Sequence, residues 1–417
     1  MFDFDIPTAF QTLRRLSRIL WVRVSLILAL SILAALSAEL FDPLIPDGSK
    51  DRFTEDAVLP ILDVLANGML AVATFSLGVM VSSHRTMSQQ TTPRLHRLLM
   101  EDTSTQSILA TFIGAFAYAL CSMILFRAGY YSESASVIVF ATTVLVVAAI
   151  IVSLVRWIHQ LSRIGSMDYA LKRAEDTARE TLKNSNARPA LGGRIFDNSV
   201  TVPQDIKPIA AAHSGYLRRI DMQTAQELAE DNDAQIFIDV LPGDRILSEE
   251  KLGSSSGDIS LDALTDCFVI SPNRSHDQDP RYAIQAMRET ASKALSPGIN
   301  DPGTAVEVIA RLERLLWDDL QAPRSDDDPR FDRVYVKQLS EDVMIDLAFR
   351  EIARDGAAFV DVLLAISDAI STMKRRCDET VHKKLDELRH ALDQHAEAGL
   401  STDAEREAYR KGSGSEI

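Results

Sequence analysis

The chain changes texture partway along its length. Its first part holds four apolar stretches, from about Leu20 to Ala38, Val58 to Val81, Ser107 to Phe126 and Ala135 to Val155. Each is close to the roughly 20 helical residues needed to cross a hydrocarbon core about 30 Å thick. The first stretch carries Arg23 at its start and the second carries Asp63, while the third and fourth carry no charge. Soluble core helices rarely stay uncharged on every face for that length. The pattern therefore predicts an α-helical membrane domain with four transmembrane helices over residues 1–164. No small-residue cleavage pattern follows the first stretch closely, so a secretory signal peptide does not fit.

Polar patterning then takes over. Residues 165–200 read as a mixed-charge stalk helix followed by a linker containing Gly192 and Gly193. Between 201 and 270 come short β-like runs, Ala210–Ile220, Gln235–Leu241 and Cys267–Ile270, with a helical segment Met222–Glu230 among them. This predicts a small β-rich module. Residues 271–410 carry apolar positions at helical spacing, in Arg281–Leu295, Thr304–Leu320, Ser340–Arg376 and Glu379–Arg410, and predict a helical domain. The acidic stretch 321–330 reads as a surface loop and 411–417 as a disordered tail.

Composition sharpens this division. The 417 residues are 46% apolar and carry a formal charge of −15. Residues 1–164 hold 12 basic and 12 acidic side chains, so the whole −15 belongs to the remainder. So acidic a part argues against nucleic acid as partner, because phosphate backbones need a basic surface. Cys121, Cys267 and Cys377 are far apart with no CxxC, which excludes a disulfide framework and a thiolate zinc site. Arginines and lysines collect before the first span, between the second and third (Arg85, Arg94, Arg97) and after the fourth (Arg156, Arg163, Lys172, Arg173). The intervening loops hold Lys50 and Arg52 among more numerous acids, and Arg127. The positive-inside rule then puts both termini and the acidic part in the cytoplasm, a reducing compartment consistent with unpaired cysteines.

Three groups of residues are candidates for chemistry. In the second span Asp63, Asn67, Ala71, Thr74, Gly78 and Ser82 recur every three or four positions and share one helical face. An intramembrane carboxylate suggests a pore lining or ion site; small residues on one face suit close helix packing, and Asp63, about one turn inside the outer boundary, could simply reach water. The second group is the corner from Ser296 through Pro297, Gly298, Ile299, Asn300, Asp301, Pro302, Gly303 and Thr304. Asp301 suits an N-cap and Pro302 the first helical position. The same bare amides could hold an anion, or the corner could meet a ligand or partner. The third group, Arg274, His276 and Asp279, could contribute to acid–base or metal chemistry, although a polar surface turn has the same composition. His382, His390 and His395 lack zinc-helix spacing. No P-loop, GxSxG or HExxH occurs, so the chain is expected to be neither an enzyme nor a holder of metal or cofactor.

The SGY turn at 214–216 and PGDRILSEEKL at 242–252 are similar to the barrel-sandwich folds of biotinyl and lipoyl carriers. Those carriers need a lysine at a hairpin tip, and none lies between Asp221 and Asp239, so a swinging-arm role does not follow. A broader resemblance covers about residues 10–375. The run SKALSPGINDPGTAVEVIARLERL resembles the signature of a bacterial family of predicted membrane proteins, catalogued as domain of unknown function 2254. The SGY and PGD turns and the stretch from Arg274 to Gln278-Asp279-Pro280 belong to the same likeness. Where the family usually has an aromatic residue after NDP this chain has Gly303, which puts in doubt any role for an aromatic ring there. The resemblance implies four spans, a cytoplasmic part and an inner-membrane location, and brings no activity with it. Three function classes follow. The chain could be a homo-oligomeric channel- or transport-like protein with a gating or vestibule domain. It could be a membrane-anchored sensor or scaffold, or a membrane-tethered enzyme using residues 274–279.

Overall fold

The computed structural model describes residues 20–37, 55–100, 103–131, 133–161, 166–323, 328–377 and 379–414. The chain separates into two compact units, Met1–Tyr169 and Ala170–Ile417.

The first unit is helical: α1 (Leu20–Ser37), α2 (Glu55–Gln90), α3 (Pro93–Met100), α4 (Thr103–Arg127) and α5 (Glu133–Leu161). Three helices, within α2, α4 and α5, are long and apolar enough to cross a membrane. The first expected span is a helix of 18 residues whose apolar run is Ser25–Ser37, shorter than the other three. Arg14, Arg15 and Arg18, and the loop with Lys50 and Arg52, lie outside the described residues. Helix α4 is central: 56% of its apolar window is buried, against 22% in α2 and in α5. Gly114 on α4 lets α1 approach, since a Cβ there would come within 2.5 Å of the Ile27 side chain. Tyr131 donates its hydroxyl to the Ala35 carbonyl at 2.7 Å, and Tyr118 donates to Val139 at 3.1 Å. Paired hydroxyls of this kind are what a medium without water requires.

The second unit opens with α6 (Met167–Ala187). Its Ala170, Leu171, Ala174 and Leu182 are buried, so it is docked along its length and is not a free stalk. The expected linker after it contains a turn and a strand, β1 (Gly193–Ile195). Then follow β2 (Ile206–Ala210), β3 (Gly215–Ile220), α7 (Met222–Asp231), β4 (Ile236–Ile238), β5 (Arg245–Ile246), β6 (Lys251–Ser256), α8 (Leu261–Asp266) and β7 (Phe268–Ser271). The helical domain comprises α9 (Arg281–Ala294), α10 (Pro302–Gln321), α11 (Glu341–Asp355), α12 (Val360–Lys374), α13 (Glu379–Gly399) and α14 (Asp403–Ser413). A strand, β8 (Phe331–Val336), interrupts it.

That strand corrects the expected barrel-sandwich. One sheet has the order β1-β8-β4-β6-β2, with β8 parallel to both neighbours; the other is antiparallel, β5-β3-β7. The five-stranded sheet thus draws strands from both sides of 201–270, β1 before it and β8 after it. Val334 and Val336 of β8 are fully buried in the same core as Ile236, Ile238, Leu252 and Ile209. Gln226 of α7 fixes the strand by accepting from the Arg333 backbone at 3.1 Å and donating to Asp332 at 2.8 Å.

The two long helical stretches expected after 340 are each broken in two. Gly356 ends α11, where a Cβ would collide with Val362 at 2.5 Å, and a capping box at Thr402 and Glu405 starts α14. The expected disordered tail is helical in its first part. Helix α14 runs through Ser413, whose carbonyl accepts from Arg389 at 2.6 Å; residues 415–417 lie outside the described residues.

Candidate functional sites

Every member of the second-span stripe faces outward from its own unit. Asp63, Asn67, Ala71, Thr74, Gly78 and Ser82 are all exposed on α2. The opposite face, with Leu62, Leu65, Ala66, Ala73 and Ser76, is buried against the other helices. Thr74 satisfies its hydroxyl on the Leu70 carbonyl at 2.8 Å. Nothing approaches Gly78 within 4 Å of where a Cβ would stand. Packing against the described residues of the protomer therefore does not account for the stripe.

The Ser296–Thr304 corner joins α9 to α10 and satisfies most of its polar groups internally. Asp301 caps α10, accepting from the Thr304 amide at 3.1 Å and the Thr304 hydroxyl at 2.5 Å. Its carboxylate thus occupies the place an anion would take. Ser296 donates to the Lys293 carbonyl at 2.6 Å and accepts the Asn300 amide at 2.9 Å. Asn300 sits at φ 54°, a left-handed conformation that Asn tolerates better than most residues. Gly303 has only Asp301 Oδ1 near its missing Cβ, at 3.4 Å, so the space beside it is open. The Thr304 hydroxyl and amide hold the Asp301 carboxyl below the usual carboxylate range. A depressed pKa contributes stability above the unfolded value near pH 4 and loses it as pH falls through the folded value. We expect Asp301→Ala to cost about 1 kcal/mol at pH 7. The gap between the melting curves of the two proteins should narrow as pH falls below about 4; an undiminished gap in acid would point to something other than the cap.

The third group divides. Asp279 is fully buried and accepts from Arg274 Nε at 2.6 Å and Arg281 Nε at 3.3 Å. Arg281 also donates to the Pro242 carbonyl at 2.7 Å and to Asp244 at 2.9 Å. Arg274 reaches on to Gln285 at 2.7 Å. Gly243, at φ 95°, lies directly over the Asp279 carboxylate, which a Cβ would overlap. Gln278 clasps the end of β3, accepting from the Ile220 amide at 3.0 Å and donating to its carbonyl at 3.3 Å. The Gly243 amide donates to Leu217 at 2.6 Å, two residues beyond Gly215. The SGY turn, the PGD turn and the stretch from Arg274 to Asp279 therefore meet in one buried knot.

The His276 ring lies 6.4 Å from that of Tyr282, and the His276 carbonyl accepts from the Asp279 amide at 3.3 Å. Asp277 pairs with Arg218 at 3.3 Å. Burial would push its carboxyl up, but the Ser275 hydroxyl, His276 and Arg218 together hold it below the usual range. With both carboxylate oxygens of Asp279 held by guanidinium groups, the cluster ties the β-rich part to the helical domain rather than presenting a free acid or base. Among the described residues no group of three or more His, Cys, Asp or Glu is placed to hold a metal ion. None of the three cysteines is in a disulfide, and burial pushes the Cys267 thiol up to about 11, away from reactivity.

Sequence reading did not single out Arg281 or Asp244, although PGDR and QDPR carry them side by side with the recognised turns. It also missed a cleft of about 700 Å³ beside β1 and β8, lined in part by Arg188, Arg194, Arg330, Phe331 and Tyr335.

A set of apolar helices of membrane-crossing length followed by an acidic α+β unit defines a membrane protein with a large polar domain. The chain belongs to the family described as predicted membrane protein, domain of unknown function 2254, whose model matches residues 17–372. Uncharacterised proteins of Mycobacterium tuberculosis and Mycobacterium bovis are each 25% identical over 366 residues, covering 84% of this chain and 68% of theirs. No solved structure matches.

Proposed function

We propose that the protein is a homo-oligomeric, channel- or transport-like protein of the bacterial inner membrane, with the polar face of α2 lining the path between protomers. The observation that carries this reading is the outward exposure of Asp63, Asn67, Thr74 and Ser82 on a helix of membrane-crossing length. A carboxylate facing acyl chains at mid-span costs about 3 kcal/mol or more. Asp63, the ninth residue of α2, lies nearer the start of the span, where the cost is smaller but not removed by packing. Neighbouring copies and enclosed water remove that cost, and the path needs several copies because one protomer offers too few polar groups. In this reading α1 is a fourth span and both termini are cytoplasmic, as the basic loops suggest. The acidic unit serves as vestibule or gate, and the chain has no catalytic role.

The test is ion flux in liposomes carrying the purified protein, together with cross-linking in the bilayer. Wild-type vesicles should conduct, and Asp63→Ala and Asn67→Leu should reduce flux towards that of protein-free vesicles while cross-linked oligomers persist. A monomer in lipid, or flux indifferent to both substitutions, would overturn the reading. A second reading, a membrane-anchored sensor, is favoured by the arginine-lined cleft.

A further inference from the structure

The cleft beside β1 is built from two segments that the fold brings together. The first runs from Ala187 at the end of α6 through β1, and the second from Asp328 into β8. Parallel pairing of β1 with β8 places Arg194 opposite Tyr335. The Arg194 guanidinium lies 5.9 Å from the Tyr335 ring centroid. Tyr335 is in turn stacked on Phe237 at 4.9 Å, and Phe237 packs on Phe196 at 5.5 Å. Arg330 lies over Phe331 at 5.2 Å and donates to Gln223 at 3.2 Å. Two of the three arginines are therefore steered by aromatic rings, which limits the rotamer freedom they would lose on meeting a ligand.

The electrostatics of the cleft run against those of its unit. Residues beyond 164 carry the entire −15, so acids are abundant. Elsewhere in the unit arginines find them, as Arg179 finds Glu175 and Asp318, Arg281 finds Asp244 and Asp279, and Arg333 finds Asp233. Arg188, Arg194 and Arg330 make no ion pair with a described residue, although Asp328 lines the same space. The lining thus keeps a local positive excess.

The backbone of the wall is also unusual. Between Pro189 and Gly192, which both line the cleft, the chain is left-handed in succession at Ala190, Leu191 and Gly192, with φ 50°, 59° and 86°. Non-glycine residues in that region cost of order 1 kcal/mol each and gather where a ligand site holds the chain in shape. Gly192 has the Phe331 ring 3.5 Å from where its Cβ would be, so the wall sits tightly on the aromatic floor.

We propose that this cleft binds a small, soluble phosphate-bearing molecule with at least two negative charges, held by the guanidinium groups of Arg188, Arg194 and Arg330. Arginine forks match phosphate oxygens two at a time. A volume of about 700 Å³ lies within the range of small-molecule and cofactor sites. The rings carry the arginines and have their faces occupied, so the recognised chemistry is the phosphate rather than a stacked base. The site is independent of any path along α2.

The experiment is calorimetric titration of the full-length protein in detergent with three probes: inorganic pyrophosphate, ATP and citrate. Pyrophosphate and ATP should both bind, more weakly at higher salt, and citrate should bind at least tenfold less well. Arg188→Ala and Arg194→Ala should each weaken binding about tenfold or more without moving the melting temperature. Arg194→Lys should weaken it too, because it keeps the charge and loses the fork. ATP much tighter than pyrophosphate would make a nucleotide the source of the phosphate, and equal affinities a free polyphosphate. Citrate binding as well as the phosphates, no binding of either phosphate at millimolar concentration, or affinities untouched by the arginine variants would overturn the proposal.

Discussion

Asp279→Ala should destabilise the polar unit by about 3–5 kcal/mol, the range for removing one partner from a buried ion pair. Two guanidinium groups, Arg274 and Arg281, lose the carboxylate between them. Arg281 keeps Asp244, but Arg274 keeps only neutral partners, Gln285 and the Tyr282 ring at 6.0 Å. For a unit of this size the melting midpoint should drop on the order of 10 °C. Circular dichroism melting of the full chain in detergent reads this directly. Asp277→Ala, two residues away on the surface, removes a part-exposed pair with Arg218 and should shift the midpoint far less. Equal, small shifts for both would show that the knot does not hold the unit together.

Glu175→Ala should have the next largest effect, about 3 kcal/mol, at the low end of the same range. Glu175 is nearly buried on α6 and takes Arg311 at 3.2 Å, Arg314 at 3.4 Å and Arg179 at 3.2 Å. Arg311 keeps Glu307 at 2.7 Å, which limits the loss. Because these bonds fasten α6 to α10, their removal should loosen α6 before the rest of the unit. Trypsin should then cut at Lys183, in the last turns of the helix, faster than in the wild type and at temperatures well below global melting. Unchanged cleavage alongside a lower melting point would mean that α6 is held mainly by its apolar face.

Helical elements were legible in the sequence wherever a long period could be followed. The apolar runs of α4 and α5, and the α9 and α10 pair around their capped corner, carry their own boundaries in charge-free length, proline and Asp301. Strand β8 did not, because six residues between an acidic loop and a helix offer little pattern. Its buried Val334 and Val336 acquire meaning only beside β4, about a hundred positions earlier. The stripe on α2 was legible as a face, but which way that face turned depended on what α4 and α5 covered. Asp279 was noticed as a residue in a polar turn. Its burial depends on Gly243 and Arg281, whose convergence is a tertiary fact that spacing along the chain does not encode. The cleft arginines were hidden for the same reason, since a segment read as linker supplies two of them.

The position of β8 in the middle of the sheet also sets an order of events during synthesis. When Ile238 has emerged, β4 can pair with β6 soon afterwards, but its other edge has no neighbour until Val336 follows. At ribosomal rates of about 5–20 residues per second that interval lasts roughly 5–20 s. Throughout it an apolar strand edge stands open while β1, made still earlier, has nothing to pair with. A nascent chain of this kind is exposed to chaperones and to neighbouring chains for longer than its size alone would suggest. A ribosome stalling between α10 and β8 would release a product with its sheet divided.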